Sequence, residues 1–242
     1  MIGLTVELLE PPLYPGRRRF QLFTDYLPCL RAAGAVPLLI PTDAPSEDIP
    51  AWFRRVDGLL LTGGDDLDLR ALGGPAPVEE CKPVPAAMQA LELALARGAL
   101  EEGLPVLGIC LGMQILGVAR GAGYIQHLPG AGAHTGGRRH AIRLAEDSRL
   151  AALLGATRAE VPSFHHQALA DAGAWTACAW SEDGVLEGIE DRDHPFAVGV
   201  QWHPERDPES PFTRGLFSGF VAAARAYLGR RGKAASAGPR QA

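Results

Sequence analysis

Leu104-Pro105-Val106-Leu107-Gly108-Ile109-Cys110-Leu111-Gly112-Met113-Gln114 decides how this chain is read, because a buried strand there runs straight into a cysteine. The apolar run 106–109 has the length and composition of an interior strand, and 111–119 has helical spacing with Met113, Ile115 and Leu116 as good helix formers. The chain must turn sharply between the two. Gly108 and Gly112 flank Cys110 two residues away on either side, the spacing of a nucleophile elbow with cysteine in the serine position. Glycines there let strand and helix approach closely, and the central residue can take a strained backbone conformation. The thiol then emerges at the strand's carboxyl end, the helix amino terminus favours the thiolate, and the Leu111 amide is free to donate to an oxyanion.

Working outward, residues 56–61 read as a second buried strand, ending in Thr62-Gly63-Gly64. A Gly-Gly pair at the carboxyl end of such a strand is where an open α/β sheet builds its ligand site, so Gly63 or Gly64 is a candidate second oxyanion donor. Residues 1–7 and 36–40 supply further strands, and 20–33, 46–54 and 86–102 supply helices, the first capped by Gly34. The turn-rich segment 65–85 is placed to lie over the site mouth. Beyond the elbow helix the texture changes. Short strands at 124–125, 140–144, 175–180, 185–189 and 196–202 suggest an antiparallel extension whose last strand rejoins the main sheet. A helix over 211–228 closes a single domain, and 229–242 is expected to be a disordered tail.

The chain has 242 residues, 47% of them hydrophobic, enough for a full core, and its net charge of -5 leaves no basic footprint for nucleic acid. Cys29, Cys81, Cys110 and Cys178 lack paired or zinc-type spacing, and neither a leader nor a membrane span is legible. A reducing, cytoplasmic setting is the expectation. Cysteine chemistry needs a base, and seven histidines are available. His203 is the best placed, because Gln201-Trp202-His203-Pro204-Glu205 ends a buried strand, with Glu205 two residues on to hold the imidazole tautomer. His127, His134, His140 and His194 read as surface or structural.

Gly108 to Gln114, Gly199 to Glu205 and the Gly63-Gly64 loop together resemble the class I glutamine amidotransferase superfamily, whose triad is Cys, His and Glu in that chain order. Ser163-Phe164-His165-His166-Gln167, followed by Asp183-Gly184-Val185-Leu186-Glu187, resembles its gamma-glutamyl-gamma-aminobutyrate hydrolase, peptidase C26-like, branch. The resemblance implies a three-layer α/β/α sandwich with a mostly parallel, flavodoxin-like central sheet and a small antiparallel extension. It implies a triad of Cys110, His203 and Glu205, an oxyanion hole from Gly63, Gly64 and Leu111, and substrate contacts from Gln114, Ser163, His165, His166 and Gln167. The implied reaction cleaves a gamma-glutamyl amide through a thioester, in the catabolism of a gamma-glutamylated amine, with no metal or organic cofactor. The implied partner is a small gamma-glutamyl substrate, neither nucleic acid nor membrane, with a homo-oligomer left open. Met88-Gln89 stands where many members carry Arg-Asp, and Leu69, Leu72 and His127 also depart from the pattern, which bears on the leaving amine. A glutaminase subunit serving a synthase, a non-catalytic redox sensor and a cysteine α/β-hydrolase are the competing readings.

Overall fold

Apolar runs bounded by glycine, proline and turn residues form the strands, and the computed structural model describes residues 1–236. In chain order the elements are β1 (Ile2–Thr5), β2 (Glu7–Leu9), β3 (Arg19–Gln21), α1 (Tyr26–Ala32), β4 (Pro37–Ile40), α2 (Ile49–Phe53), β5 (Gly58–Leu61), α3 (Ala86–Glu101), β6 (Val106–Ile109) and α4 (Leu111–Ala119). There follow β7 (Tyr124–Ile125), β8 (Arg138–Leu144), α5 (Arg149–Leu154), β9 (Arg158–Ser163), β10 (Ala168–Leu169), β11 (Thr176–Ser181), β12 (Leu186–Asp191), β13 (Ala197–Val200) and α6 (Pro211–Ser236).

Nine strands make one sheet in the order β4-β1-β5-β6-β13-β12-β11-β8-β9. The first five are mutually parallel and the rest antiparallel. Taken in chain order the parallel strands read 2-1-3-4-5, the flavodoxin-like arrangement, with ligand sites at their carboxyl ends. β5, β6 and β13 are buried along their whole length, as strands covered by helices on both faces must be. One apolar cluster joins the sheet to α1, α5 and α6, and a second joins it to α2, α3 and α4. Each leucine withdrawn from water there contributes about 1.5–3 kcal/mol. Among the described residues no helix is long and apolar enough to cross a membrane.

Several boundaries differ from expectation for local reasons. The first helix begins at Tyr26, not near residue 20, because 19–21 pair with β2 in a hairpin. Its end is as expected, with Gly34 at φ 81° and its N–H bonded to Arg31 O. β9 carries polar residues on its exposed side and a proline, so its run was not legible as a strand. The last helix continues to Ser236, through the first part of the expected tail. There Arg231 donates to the carbonyls of Phe53 and Val56 and pairs with Asp57, a tertiary anchor that composition does not reveal. The remainder of that tail, 237–242, lies outside the described residues.

Candidate active site

The parallel register carries three loops to one edge of the sheet. Leu61 lies opposite Gly108, and Ile109 opposite Val200, so Thr62-Gly63-Gly64, Cys110 and Gln201-Trp202-His203 leave neighbouring strands at the same height. Cys110 takes φ 53° and ψ -109°, the positive φ found at no other non-glycine among the described residues. Its N–H is held by Val200 O at 2.8 Å. The turn demands its glycines, since a Cβ on Gly112 would sit 2.1 Å from Leu61 O and one on Gly108 2.5 Å from Gly112 O. Backbone strain at one buried residue is what an elbow stores, and the close packing around it holds the strain in place.

His203 Nδ1 lies 2.6 Å from Glu205 Oε1, and both residues are buried. Burial by itself disfavours the charged imidazole. The negative neighbours Cys110 and Glu205, which also hydrogen-bond to the ring, outweigh it and hold His203 up to about 10. Phe164 stands edge-on to the His203 ring at 5.5 Å, with the Arg206 guanidinium over its own face. A Cβ on Gly63 would fall 2.8 Å from His203 Cε1, so a side chain there would displace the base.

The expected oxyanion donors separate. Gly63 N–H donates to the Tyr26 hydroxyl at 3.0 Å, whereas the amides of Gly64 and of Leu111, at the first turn of α4, have no acceptor among the described residues. Gln114 is buried in a relay: its amide donates to Gln201 Oε1 at 3.2 Å and it accepts from the Tyr124 hydroxyl at 3.1 Å, while Gln201 Nε2 donates to Cys110 Sγ at 3.6 Å. Gln114, His165, His166 and Gln167 line a cleft of about 580 Å³ that opens over Cys110. Ser163 does not line it. Its hydroxyl is fully buried and donates to His134 O at 2.8 Å, so it fixes the turn that presents the next four residues.

The segment after Gly64 is tied down. Gln89 clamps it by accepting from Asp68 N–H at 2.8 Å and donating to Asp68 O at 2.9 Å, and Asp66 accepts from Lys82 N–H at 2.7 Å. This fold-back carries Asp65, Asp66, Glu80 and Lys82 to the cleft wall. Gln89 thus has a positioning role at the place where the sequence departs from the common Arg-Asp pair.

With a cysteine elbow, a His-Glu pair and free amides at one sheet edge, the relationship can be stated. The chain belongs to the Peptidase C26 family. Residues 1–205 match it. Among relatives, Rv2859c of Mycobacterium tuberculosis, whose name assigns it provisionally to the glutamine amidotransferases, is 39% identical over 220 residues, spanning 87% of this chain and 70% of its own. The gamma-glutamyl-gamma-aminobutyrate hydrolase PuuD of Escherichia coli strain K12 is 28% identical over 228 residues, 85% of this chain and 87% of its own. A glutamine amido transferase structure from Methylobacillus flagellatus superposes with a TM-score of 0.56 at 21% identity, over 84% of this chain and 69% of that one. The Peptidase C26 match places the chain in a hydrolase and glutamine amidotransferase-like family, and the structural likeness shows the fold.

Sequence reasoning missed Tyr26, Gln201 and Phe164 as parts of the site. Gln201 and Phe164 sat inside quoted motifs, next to residues whose chemistry was more conspicuous. Tyr26 had no local signal at all. His134 and His140, read as surface or structural, are instead gathered with His165 and Glu187 in one cluster behind the cleft.

Proposed function

We propose that the protein hydrolyses a gamma-glutamyl amide, of the gamma-glutamyl-gamma-aminobutyrate type, to glutamate and an amine. The observation that carries this is the strained Cys110 beside the 2.6 Å His203–Glu205 pair, with the Gly64 and Leu111 amides unengaged. The Cys110 sulfur attacks the gamma-carbonyl carbon, forming the C–S bond, and the carbonyl oxygen becomes an oxyanion facing the Gly64 and Leu111 amides. The C–N bond then breaks as His203 passes its proton to the leaving nitrogen. Water next gives a proton to His203 and attacks the thioester carbon. The C–S bond breaks, glutamate leaves, and the starting charges are restored. Glu205 keeps the imidazole oriented throughout.

The cleft suits a small zwitterion. Lys82 offers a cation for the glutamyl carboxylate, and Asp65, Asp66 and Glu80 offer anions for its ammonium or for a cationic leaving amine. This reading needs no partner but the substrate, and four unpaired cysteines support a reducing, cytoplasmic setting. The test is glutamate release by wild type and Cys110→Ala from glutamine, gamma-glutamyl-gamma-aminobutyrate, a gamma-glutamyl polyamine and a gamma-glutamyl peptide. Release from at least one that disappears in the variant is expected; no release from any, or release indifferent to Cys110, overturns the reading. The name given to Rv2859c favours a second reading, a glutaminase subunit passing ammonia to a separate synthase. Its mark would be glutamine turnover that rises when a synthase is added.

A further inference from the structure

Behind the cleft, four side chains from four separated parts of the chain converge on one point. His134 follows a 3-10 turn, His140 lies on β8, His165 follows β9, and Glu187 lies on β12. His134 Nδ1, His140 Nε2 and His165 Nε2 are 3.5, 3.4 and 3.4 Å from the same atom, Glu187 Oε1. None of these contacts has the geometry of a hydrogen bond. The three nitrogens and both Glu187 oxygens are buried without a hydrogen-bond partner among the described residues, and Glu187 is completely inaccessible.

The far nitrogen of each ring explains why these atoms matter. His165 Nδ1 faces Gln167 O at 2.9 Å and His140 Nδ1 faces Ala141 O at 3.3 Å, and a carbonyl can only accept. His134 Nε2 faces the Asp183 carboxylate at 3.0 Å. Each outer nitrogen is therefore the protonated one. In neutral rings the inner nitrogens turn three lone pairs toward a carboxylate, which is repulsive. A single doubly protonated ring would still leave the other two turning lone pairs toward Glu187 Oε1, with the ring pairs packed at centroid separations of 4.7 and 4.9 Å.

We propose that this cluster is a binding site for a divalent first-row metal ion, zinc by its donor set, held by His134, His140, His165 and Glu187. Zinc–nitrogen and zinc–oxygen bonds of about 2.0–2.1 Å place tetrahedral donors roughly 3.3–3.4 Å apart, the spacing of the three nitrogens from Glu187 Oε1, and the four ligand atoms all lie within 4.8 Å of one another. The outer hydrogen bonds to Asp183, Gln167 and Ala141 are the kind that orient histidine ligands and fix their tautomer. Four protein donors close the coordination sphere, so the ion ties strands together and takes no part in the chemistry. Its position gives that tie a purpose. Glu187 O accepts from Gln201 N–H at 2.9 Å, and Gln201 reaches Cys110 Sγ, while His165 begins the segment that lines the cleft.

The test begins with metal analysis of the purified chain after gel filtration, and about one zinc per chain is expected. Removing it with a strong chelator should lower Tm by about 5–10 °C, and added Zn²⁺ should restore it. Glu187→Gln and His140→Gln should lose the metal, while His194→Gln, remote from the cluster, should keep it. Should the two ligand variants fail to fold, Co²⁺ added to the metal-free wild type decides the matter, because a tetrahedral site gives an intense visible band. A chain that purifies without metal and whose Tm ignores both Zn²⁺ and Co²⁺ overturns the proposal and leaves a cluster balanced by protons alone. Full zinc retention in Glu187→Gln, or a weak octahedral Co²⁺ spectrum, overturns it equally.

Discussion

Two buried carboxylates, Glu92 in the parallel half and Glu187 in the antiparallel half, are both fully inaccessible. They sit in opposite electrostatic settings. Glu92 on α3 has no ion-pair partner among the described residues, and burial, reinforced by the charge of Glu7 and partly offset by Thr5, pushes its carboxyl up to about 8. Glu187 instead faces three histidine nitrogens. The parallel half keeps a buried acid neutral and spends its charged chemistry at the sheet edge, around Cys110. The antiparallel half buries its carboxylate against three histidines, one of which, His165, lines the same cleft. Replacing each carboxyl group by an amide should therefore do opposite things in the two halves.

The largest effect belongs to the sheet edge. Cys110→Ala should reduce glutamate release by about 10⁴-fold or more while leaving Tm nearly unchanged, as deletion of a nucleophile in a preorganised site does. Parallel loss of Tm would mean that the elbow also bears the fold. Next, Glu205→Gln should cost about 10²- to 10³-fold in kcat and change the pH profile. With its negative neighbours intact, His203 stays protonated until the pH nears 10, so donation to the leaving amine fails only above that. Loss of the Glu205 charge lowers the His203 pKa, and the alkaline limb should shift to lower pH; an unmoved limb would show that another group limits the rate. Gly63→Ala, whose Cβ would press on the His203 ring, should cost about 10²-fold, read by kcat with folding checked by circular dichroism.

The smallest effect tests the contrast itself. Glu92 binds its proton more tightly folded than unfolded, so stability falls as pH rises from the ordinary value of 4.5 to about 8. Glu92→Gln removes that penalty. Denaturant melts should show a gain of about 1–3 kcal/mol at pH 8 and almost none at pH 5. Glu187→Gln should instead lose stability. If both variants shift the same way at pH 8, the two carboxylates do not differ as described.

The parallel half was largely legible. Gly108-Ile109-Cys110-Leu111-Gly112 and Gln201-Trp202-His203-Pro204-Glu205 each carry strand, turn and functional group within a few residues, so local pattern and chemistry coincide. The same reading did not reach contacts between residues far apart in the chain. It gave Gly63 to the oxyanion, although Tyr26, 37 residues away, takes that amide. It gave Ser163 to the substrate, although His134 O takes its hydroxyl. It ended the last helix early, because Arg231 finds its carbonyls at Phe53 and Val56.

The sequence alone determined that a cysteine turns from strand to helix, that a histidine and a glutamate close another strand, and that a Gly-Gly pair ends a third. Each of those facts depends on residues near one another in the chain, where steric limits act directly. The tertiary structure decided which amide stays free, how the loop after Gly64 is clamped, and that His134, His140, His165 and Glu187 meet. β11 pairs with β8 only from Ile142 to Leu144, so His140 lies past its end and can reach Glu187 on β12. Strand register and order set that meeting, and neither leaves a periodic trace in the residues it brings together.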